Sequence, residues 1–145
     1  MTDMELREVF NEAERALNTG GIEYGVVGGA ALYTYGQLRM TKDLDILVPQ
    51  RPGPARTSCP KRQFSRTLQL GPCLQPRSYV LGLPRNFLET QNGARVEYHG
   101  RRLVNPRGIL QMKRLALQFR TSAHDAEDIE WLEENMERLD REIGQ

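Results

Sequence analysis

The chain has 145 residues, with 20 lysines and arginines against 19 aspartates and glutamates, so its net charge is +1. This length suits one compact domain, and the balanced net charge does not indicate any class of partner. No apolar run approaches the ~18 residues of a membrane span. The acidic start MTDMELREVF has neither the basic n-region nor the apolar h-region of a signal peptide. We therefore expect a cytoplasmic protein with no membrane partner.

The first third of the chain predicts an α/β unit. Its opening helix has apolar residues at three- and four-residue steps between Leu6 and Leu17, and Gly20-Gly21 ends it. A short β-rich run, 22–27, leads into Gly28-Gly29, and residues 30–35 predict a helix that begins at those glycines. Residues 43–48 predict the next strand.

The strand 43–48 has two different faces. Leu44, Ile46 and Val48 alternate on one face, and Asp43 and Asp45 share the other. The apolar face should be buried and hold the strand in place, so that both carboxylates project together from the opposite side.

Residues 49–86 differ from both flanks. Seven of the eight prolines lie here, and no carboxylate occurs between Asp45 and Glu89. Proline removes backbone donors and breaks helices, so we expect a mostly irregular segment, with two short strands at 68–70 and 79–83. Its seven basic residues could contact RNA phosphates or form a solvated or disordered loop. Those basic residues are Arg51, Arg56, Lys61, Arg62, Arg66, Arg77 and Arg85.

The remainder predicts a hairpin and two helices. Asn92-Gly93 lies between the runs 87–91 and 94–98, which is the strongest short hairpin signal. Asn105-Pro106 predicts the start of one helix, and Ser122 with Asp125 predicts the start of the last. An apolar stripe on the last helix should pack on the domain or on a partner helix. The stripe is Ile129, Leu132, Met136, Leu139 and Ile143.

Two features of the first third point to phosphate and metal chemistry. Paired carboxylates repel each other unless a cation lies between them, so Asp43 and Asp45 predict a site for a hard ion such as Mg²⁺. Gly28-Gly29 lies at a strand-to-helix turn, where backbone N–H groups face outward toward an anion. Either feature alone is weak evidence, but the two together at this spacing, with apolar runs on both sides, are far less expected by chance.

The stretch GVVGGAALYTYGQLRMTKDLDILV resembles the core motif of the polymerase-β-like nucleotidyltransferases, in which a Gly-Gly or Gly-Ser turn precedes an Asp-x-Asp. Arg-Met-Thr-Lys-Asp-Leu-Asp is similar to the small branch that includes toxin–antitoxin and abortive-infection enzymes. The likeness is specific over 22–48, loose over 94–132 and absent over 49–86. It implies a minimal nucleotidyltransferase fold: one α/β (α+β) domain over 1–145, a small mixed sheet with flanking helices.

The resemblance also implies roles for individual residues. Asp43, Asp45 and a third acid would hold two Mg²⁺ or Mn²⁺ ions, and Glu97, in an apolar-acid-apolar setting, fits the third position. Gly28, Gly29 and Ala30 would line the phosphate turn, although many relatives have a hydroxyl residue where this chain has Ala30. The basic residues expected at the triphosphate are Arg39, Lys42 and Lys113.

The expected activity is transfer of a nucleoside monophosphate from a nucleoside triphosphate such as ATP to a hydroxyl acceptor. The acceptor could be an RNA 3′ end, a protein side chain or a small molecule, and a homodimer or partner chain could complete the cleft. Two alternatives stay open: a catalytically silent binding or regulatory protein with this fold, and a nucleic-acid-binding protein that works through the basic segment. Asp125 and Asp128 are expected to serve the start of the last helix, and His99 and His124 to be surface or capping residues.

Overall fold

The computed structural model describes residues 3–39, 41, 44–48, 74–77, 87–119 and 122–144. These residues form a mixed α+β structure, which confirms the expected fold class. The elements in chain order are α1 (Asp3–Thr19), β1 (Gly25–Val27), α2 (Gly28–Tyr35), β2 (Leu44–Leu47), β3 (Leu74–Arg77), a 3₁₀ helix (Phe87–Glu89), β4 (Arg95–Tyr98), β5 (Arg101–Val104), α3 (Pro106–Phe119) and α4 (Ala123–Ile143).

Within the described residues, five strands form one mixed sheet in the order β3-β2-β1-β5-β4. The central strand β1 is antiparallel to β2 and parallel to β5, while β2 and β3 are parallel and β4 and β5 antiparallel. The register places Val27 opposite Asp45 and Val26 beside Leu103. The end of β1 is therefore next to the middle of β2.

The predicted α1 and its glycine stop are confirmed. Leu6, Phe10 and Leu17 are buried in the core. Gly21 adopts a left-handed φ of 65°, and the Ile22 N–H donates to the Leu17 carbonyl at 2.9 Å, which closes the helix end. The chain then turns directly into β1.

Helix α2 is fixed to the sheet by a buried tyrosine. The Tyr35 hydroxyl donates to the Val104 carbonyl of β5 at 2.8 Å, and Arg138 of α4 donates to the Tyr35 carbonyl at 3.1 Å. Burial raises the pKa of Tyr35 well above its usual value, with a smaller contribution from Tyr98. These contacts hold the C-terminal end of α2, and the glycine turn at its other end is continuous with β1.

The two C-terminal helices begin where the sequence predicts. Asn105 Oδ1 accepts the Gly108 N–H at 3.1 Å and caps α3, and Ser122 Oγ accepts the Asp125 N–H at 3.3 Å and caps α4. Leu132, from the predicted stripe of α4, is fully buried. The stripe packs on the domain.

The predicted hairpin turn at Asn92-Gly93 and its first strand are wrong, while the second strand, predicted over 94–98, is confirmed as β4. Residues 87–89 form a 3₁₀ helix, and the hairpin joins β4 to β5 through His99 and Gly100, with φ values of 49° and 77°. Two successive positive φ angles are what a two-residue type I′ turn requires. Gly93 is a packing residue instead, because a Cβ there would collide with the Phe87 carbonyl oxygen.

The segment 49–86 contains one described strand, β3, where we expected mostly irregular chain. Pro76 lies in it, which is compatible with a strand at the end of the described sheet because proline is tolerated on edge strands. The strands expected at 68–70 and 79–83 lie outside the described residues, as do the basic residues of the segment other than Arg77.

Candidate functional site

Gly28 and Asp45 meet where β1 ends and α2 begins. Gly28 has a left-handed φ of 70°, and a Cβ on it would lie 2.7 Å from Asp45 Oδ2. Glycine is therefore required at position 28 for two reasons: its backbone conformation, and the space that the Asp45 carboxylate fills. The pairing of Val27 with Asp45 sets this contact, since Gly28 directly follows Val27. The structure brings together the glycine turn and one of the two predicted aspartates.

The first turn of α2 has no side-chain cap. Val27 is the N-cap and makes no side-chain hydrogen bond to the helix, and the first turn has no acidic residue. The leading N–H groups of a helix lack intrahelical partners and carry partial positive charge. Gly28 and Gly29 add no side chains there, whereas Ala30 is fully buried, backbone included, and is therefore not accessible to a ligand as the resemblance implies.

Thr41 lies at the same turn, and the sequence did not single it out. A Cβ on Gly29 would be 3.0 Å from Thr41 Oγ1 and 3.1 Å from its Cβ. A hydroxyl is therefore present beside the glycines, from the segment that leads into β2 and not from position 30. The residue types in RMTKDLD could have suggested this, because the threonine closely precedes the aspartates.

Asp43 and Lys42 lie outside the described residues, so the aspartates are not described as a pair. Among the residues that the structure does describe, no three or more His, Cys, Asp and Glu side chains lie close enough together to hold a metal ion. Asp45 still fits the expected ion. Mg²⁺ prefers oxygen ligands and is commonly held by one or two carboxylates together with waters and phosphate oxygens.

Glu97 does not lie beside Asp45. It is on β4, and both β5 and β1 lie between β4 and β2. Adjacent strands are about 4.8 Å apart, so three spacings separate the two strands by about 14 Å, too far for two carboxylates to share metals. Glu97 Oε1 instead lies 3.4 Å from Arg102 Nε, and its side chain is 66% exposed.

The other neighbour of Asp45 in the sheet is Gln75. The parallel pairing of β2 with β3 places Gln75 at the register position opposite Asp45. Val27 and Gln75, the residues on either side of Asp45 in the described sheet, thus carry no carboxylate. The third acid that the resemblance implies is at neither position.

Lys113 and Arg39, predicted to contact a triphosphate, meet at one buried carboxylate. Lys113 Nζ lies 3.0 Å from Asp128 Oδ2 and 3.1 Å from Asp125 Oδ1, and both acids are almost completely buried. Arg39 Nη2 lies 2.8 Å from Asp128, and Gln37 Nε2 donates to Asp128 Oδ1 at 2.9 Å. If either cation turned to a ligand, a buried acid would lose a partner, at a cost of several kcal/mol.

The donors around Asp128 keep it ionised. Burial alone would raise the pKa of Asp128, but hydrogen bonds from Gln37, Lys113 and Arg39 and the charge of Lys113 outweigh burial and lower the pKa below its usual value. Ser122 caps the N–H of Asp125, as expected, but Asp128 does more than support a helix start. A sequence signal was present, because Asp125 and Asp128 fall on the same face of α4 as Leu132.

His124 lies beside the group of paired charges formed by Arg39, Lys113, Asp125 and Asp128. Its side chain is 72% exposed, and Nδ1 is 3.0 Å from Arg39 Nη1. His99 occupies the β4–β5 turn. Both are surface residues, as expected.

Comparison with protein-family models, with curated proteins and with solved structures gives no match. In the described part of the chain, no helix combines the length and apolar character needed to cross a membrane.

Proposed function

We propose that this protein is a metal-dependent nucleotidyltransferase of the polymerase-β-like kind, which moves a nucleoside monophosphate from a nucleoside triphosphate to a hydroxyl acceptor. The contact between Gly28 and Asp45 carries the proposal. It places a carboxylate beside the N-terminal turn of a helix that has no side-chain cap. A triphosphate with its cation needs both a carboxylate for the ion and N–H groups for the phosphate oxygens.

The residues of the turn would bind different parts of the nucleotide–metal complex. The backbone N–H groups of Gly28 and Gly29 would bind phosphate oxygens, and Asp45, together with Asp43, would hold Mg²⁺ or Mn²⁺. The ion would supply positive charge against the triphosphate and the leaving pyrophosphate. In the overall reaction the acceptor oxygen forms the new bond to the α-phosphorus, its proton is lost, and pyrophosphate leaves.

The acceptor stays open among an RNA 3′ end, a protein side chain and a small molecule. Gly28, Gly29 and Asp45 would contact the triphosphate end of the donor, which these reactions share. A second copy of the chain or a partner chain could supply the rest of the cleft.

One observation favours a second candidate, a silent relative that binds nucleotide without transferring it. Neither sheet neighbour of Asp45 is acidic, and Glu97 lies across the sheet. A site with two carboxylates instead of three could still bind a nucleotide with its cation, because binding needs fewer ligands than a two-metal reaction.

Titration with ATP, GTP, CTP and UTP, each with and without Mg²⁺, tests the proposal by thermal shift and by calorimetry. Asp45→Asn is the matched variant, because it keeps the shape that packs on Gly28 and removes the charge. We expect Mg²⁺-dependent stabilisation by at least one nucleotide in the wild type, and its loss in the variant.

The same samples, incubated with α-³²P-labelled nucleotide and, in turn, total RNA, the protein itself and a mixture of small hydroxyl compounds, separate the two candidates. Label transferred to an acceptor supports the transferase. Binding without transfer or release of pyrophosphate selects the silent relative. Absence of binding by all four nucleotides overturns both.

A further inference from the structure

The carboxylate of Asp128 joins three parts of the chain. Its own helix is α4, Lys113 approaches from α3, and Gln37 and Arg39 approach from the connection between α2 and β2. The Asp128 side chain is fully buried, while that of Arg39 is 31% exposed. A buried acid that receives donors from separate segments fixes those segments relative to one another.

The connection that contains Gln37 and Arg39 also delivers residues to the glycine turn. Thr41 lies against Gly29, and β2, which follows, places Asp45 against Gly28. Leu38 between the two donors is 92% exposed. Polar contacts to α4, and not burial of Leu38, therefore hold this part of the connection. Both donors reach the buried Asp128, and Arg39 also lies 3.6 Å from the exposed Glu127 and 3.0 Å from the exposed His124.

We propose that Asp128 is a positioning residue of the nucleotide site, which acts through Arg39 and Gln37 to hold Thr41 and Asp45 against the glycine turn. The inference rests on the proposed function, since it concerns the same site. Asp128 itself touches no ligand in this arrangement. It sets where the connection lies, and misplacing binding groups by about 1 Å can cost up to about a hundredfold in activity.

Lys113 offers a matched control within the same cluster. It neutralises the same carboxylate at a similar distance, but from α3, outside the connection between α2 and β2. Loss of Lys113 should therefore lower stability without moving Thr41, whereas loss of Arg39 should release the connection.

The experiment measures the affinity for the Mg²⁺ complexes of ATP, GTP, CTP and UTP by calorimetry, well below the melting temperature. The proteins are the wild type, Arg39→Gln, Arg39→Lys, Asp128→Asn and Lys113→Gln. For the nucleotide that binds the wild type, we expect Arg39→Gln and Asp128→Asn to weaken binding at least about tenfold, within the range that misplaced groups cost. Arg39→Lys should bind the nucleotide more tightly than Arg39→Gln does, because it keeps the positive charge. Lys113→Gln should lower the melting temperature with little change in affinity.

A double-mutant cycle adds a measurement that a purely structural role would not change. If Arg39 acts by placing Thr41, then Thr41→Val should cost less affinity in the Arg39→Gln background than in the wild type. Additive losses would overturn the proposal. This cycle, and the comparison of Arg39→Lys with Arg39→Gln, do not depend on whether Lys113→Gln folds.

The outcomes separate this inference from the proposed function. A wild type that binds none of the four nucleotides overturns both. A wild type that binds, with Arg39→Gln binding equally well, overturns the positioning role and leaves the site standing. If the loss of affinity is proportional to the loss of melting temperature across all variants, Lys113→Gln included, the positioning role is also overturned.

Discussion

The carboxylate of Asp45 occupies the space that a side chain on Gly28 would need. A Cβ on Gly28 would be 2.7 Å from Asp45 Oδ2, and the backbone there has a φ of 70°. Residues 28 and 45 thus constrain each other. The missing side chain of Gly28 leaves the space that the Asp45 carboxylate fills, and the pairing of β1 with β2 holds the carboxylate there.

Gly28→Ala should therefore destabilise the protein more than Gly21→Ala does. Both glycines are left-handed, with φ values of 70° and 65°, but a Cβ on Gly21 meets nothing within 4 Å. The shared backbone strain costs about 1 kcal/mol, and Gly28→Ala adds the displacement of Asp45. Urea unfolding of both variants measures the difference, and equal losses would show that Asp45 does not fill this space.

Asp45→Asn and Glu97→Gln should differ in nucleotide binding. Asp45 lies at the glycine turn and Glu97 on a strand about 14 Å away, so only Asp45→Asn should abolish the Mg²⁺-dependent rise in melting temperature. Both variants should stay folded, because each keeps the shape of the residue it replaces. A loss of binding in Glu97→Gln would return Glu97 to the site and contradict the separation of β4 from β2.

Asp128 should make the protein acid-sensitive. Its pKa is lower in the folded protein than in the unfolded chain, so its stabilising contribution is complete above about pH 4 and is lost as pH falls through the folded pKa. The free energy of unfolding of Asp128→Asn should be lower than that of the wild type at pH 7 but fall less steeply in acid. Urea unfolding at a series of pH values measures both slopes, and parallel curves would contradict the ionised state of Asp128.

Gly93→Ala and Gly100→Ala test the position of the hairpin turn. A Cβ on Gly93 collides with the backbone carbonyl of Phe87, whereas Gly100 has open space around it and needs only its φ of 77°. Gly100→Ala should cost about 1 kcal/mol and Gly93→Ala clearly more, because a backbone oxygen cannot move aside cheaply. If Gly100→Ala were instead the more damaging, the turn assignment would need revision.

Local pattern was enough for much of the fold. The helices have continuous apolar faces and explicit end signals, such as Gly20-Gly21, Asn105-Pro106 and Ser122, so their existence and limits followed from nearby residues. The strand after the glycine turn was also predictable, because Leu44 and Ile46 alternate with Asp45. The hairpin was not, since the Asn-Gly signal at 92–93 competes with His99-Gly100, and only packing of Gly93 against Phe87 decides between them.

The local structure around the candidate site was predictable from the sequence, but which distant residues belong to the site was not. The sequence by itself determined that Gly28, Gly29 and Asp45 belong to a strand–turn–helix–strand unit, because their neighbours carry strong local signals. Tertiary structure alone decided that Glu97 is on the far side of the sheet, that Thr41 reaches Gly29, and that Lys113 and Arg39 converge on Asp128. The physical reason is that strand order and buried charge pairing depend on contacts between distant segments, which no local spacing encodes.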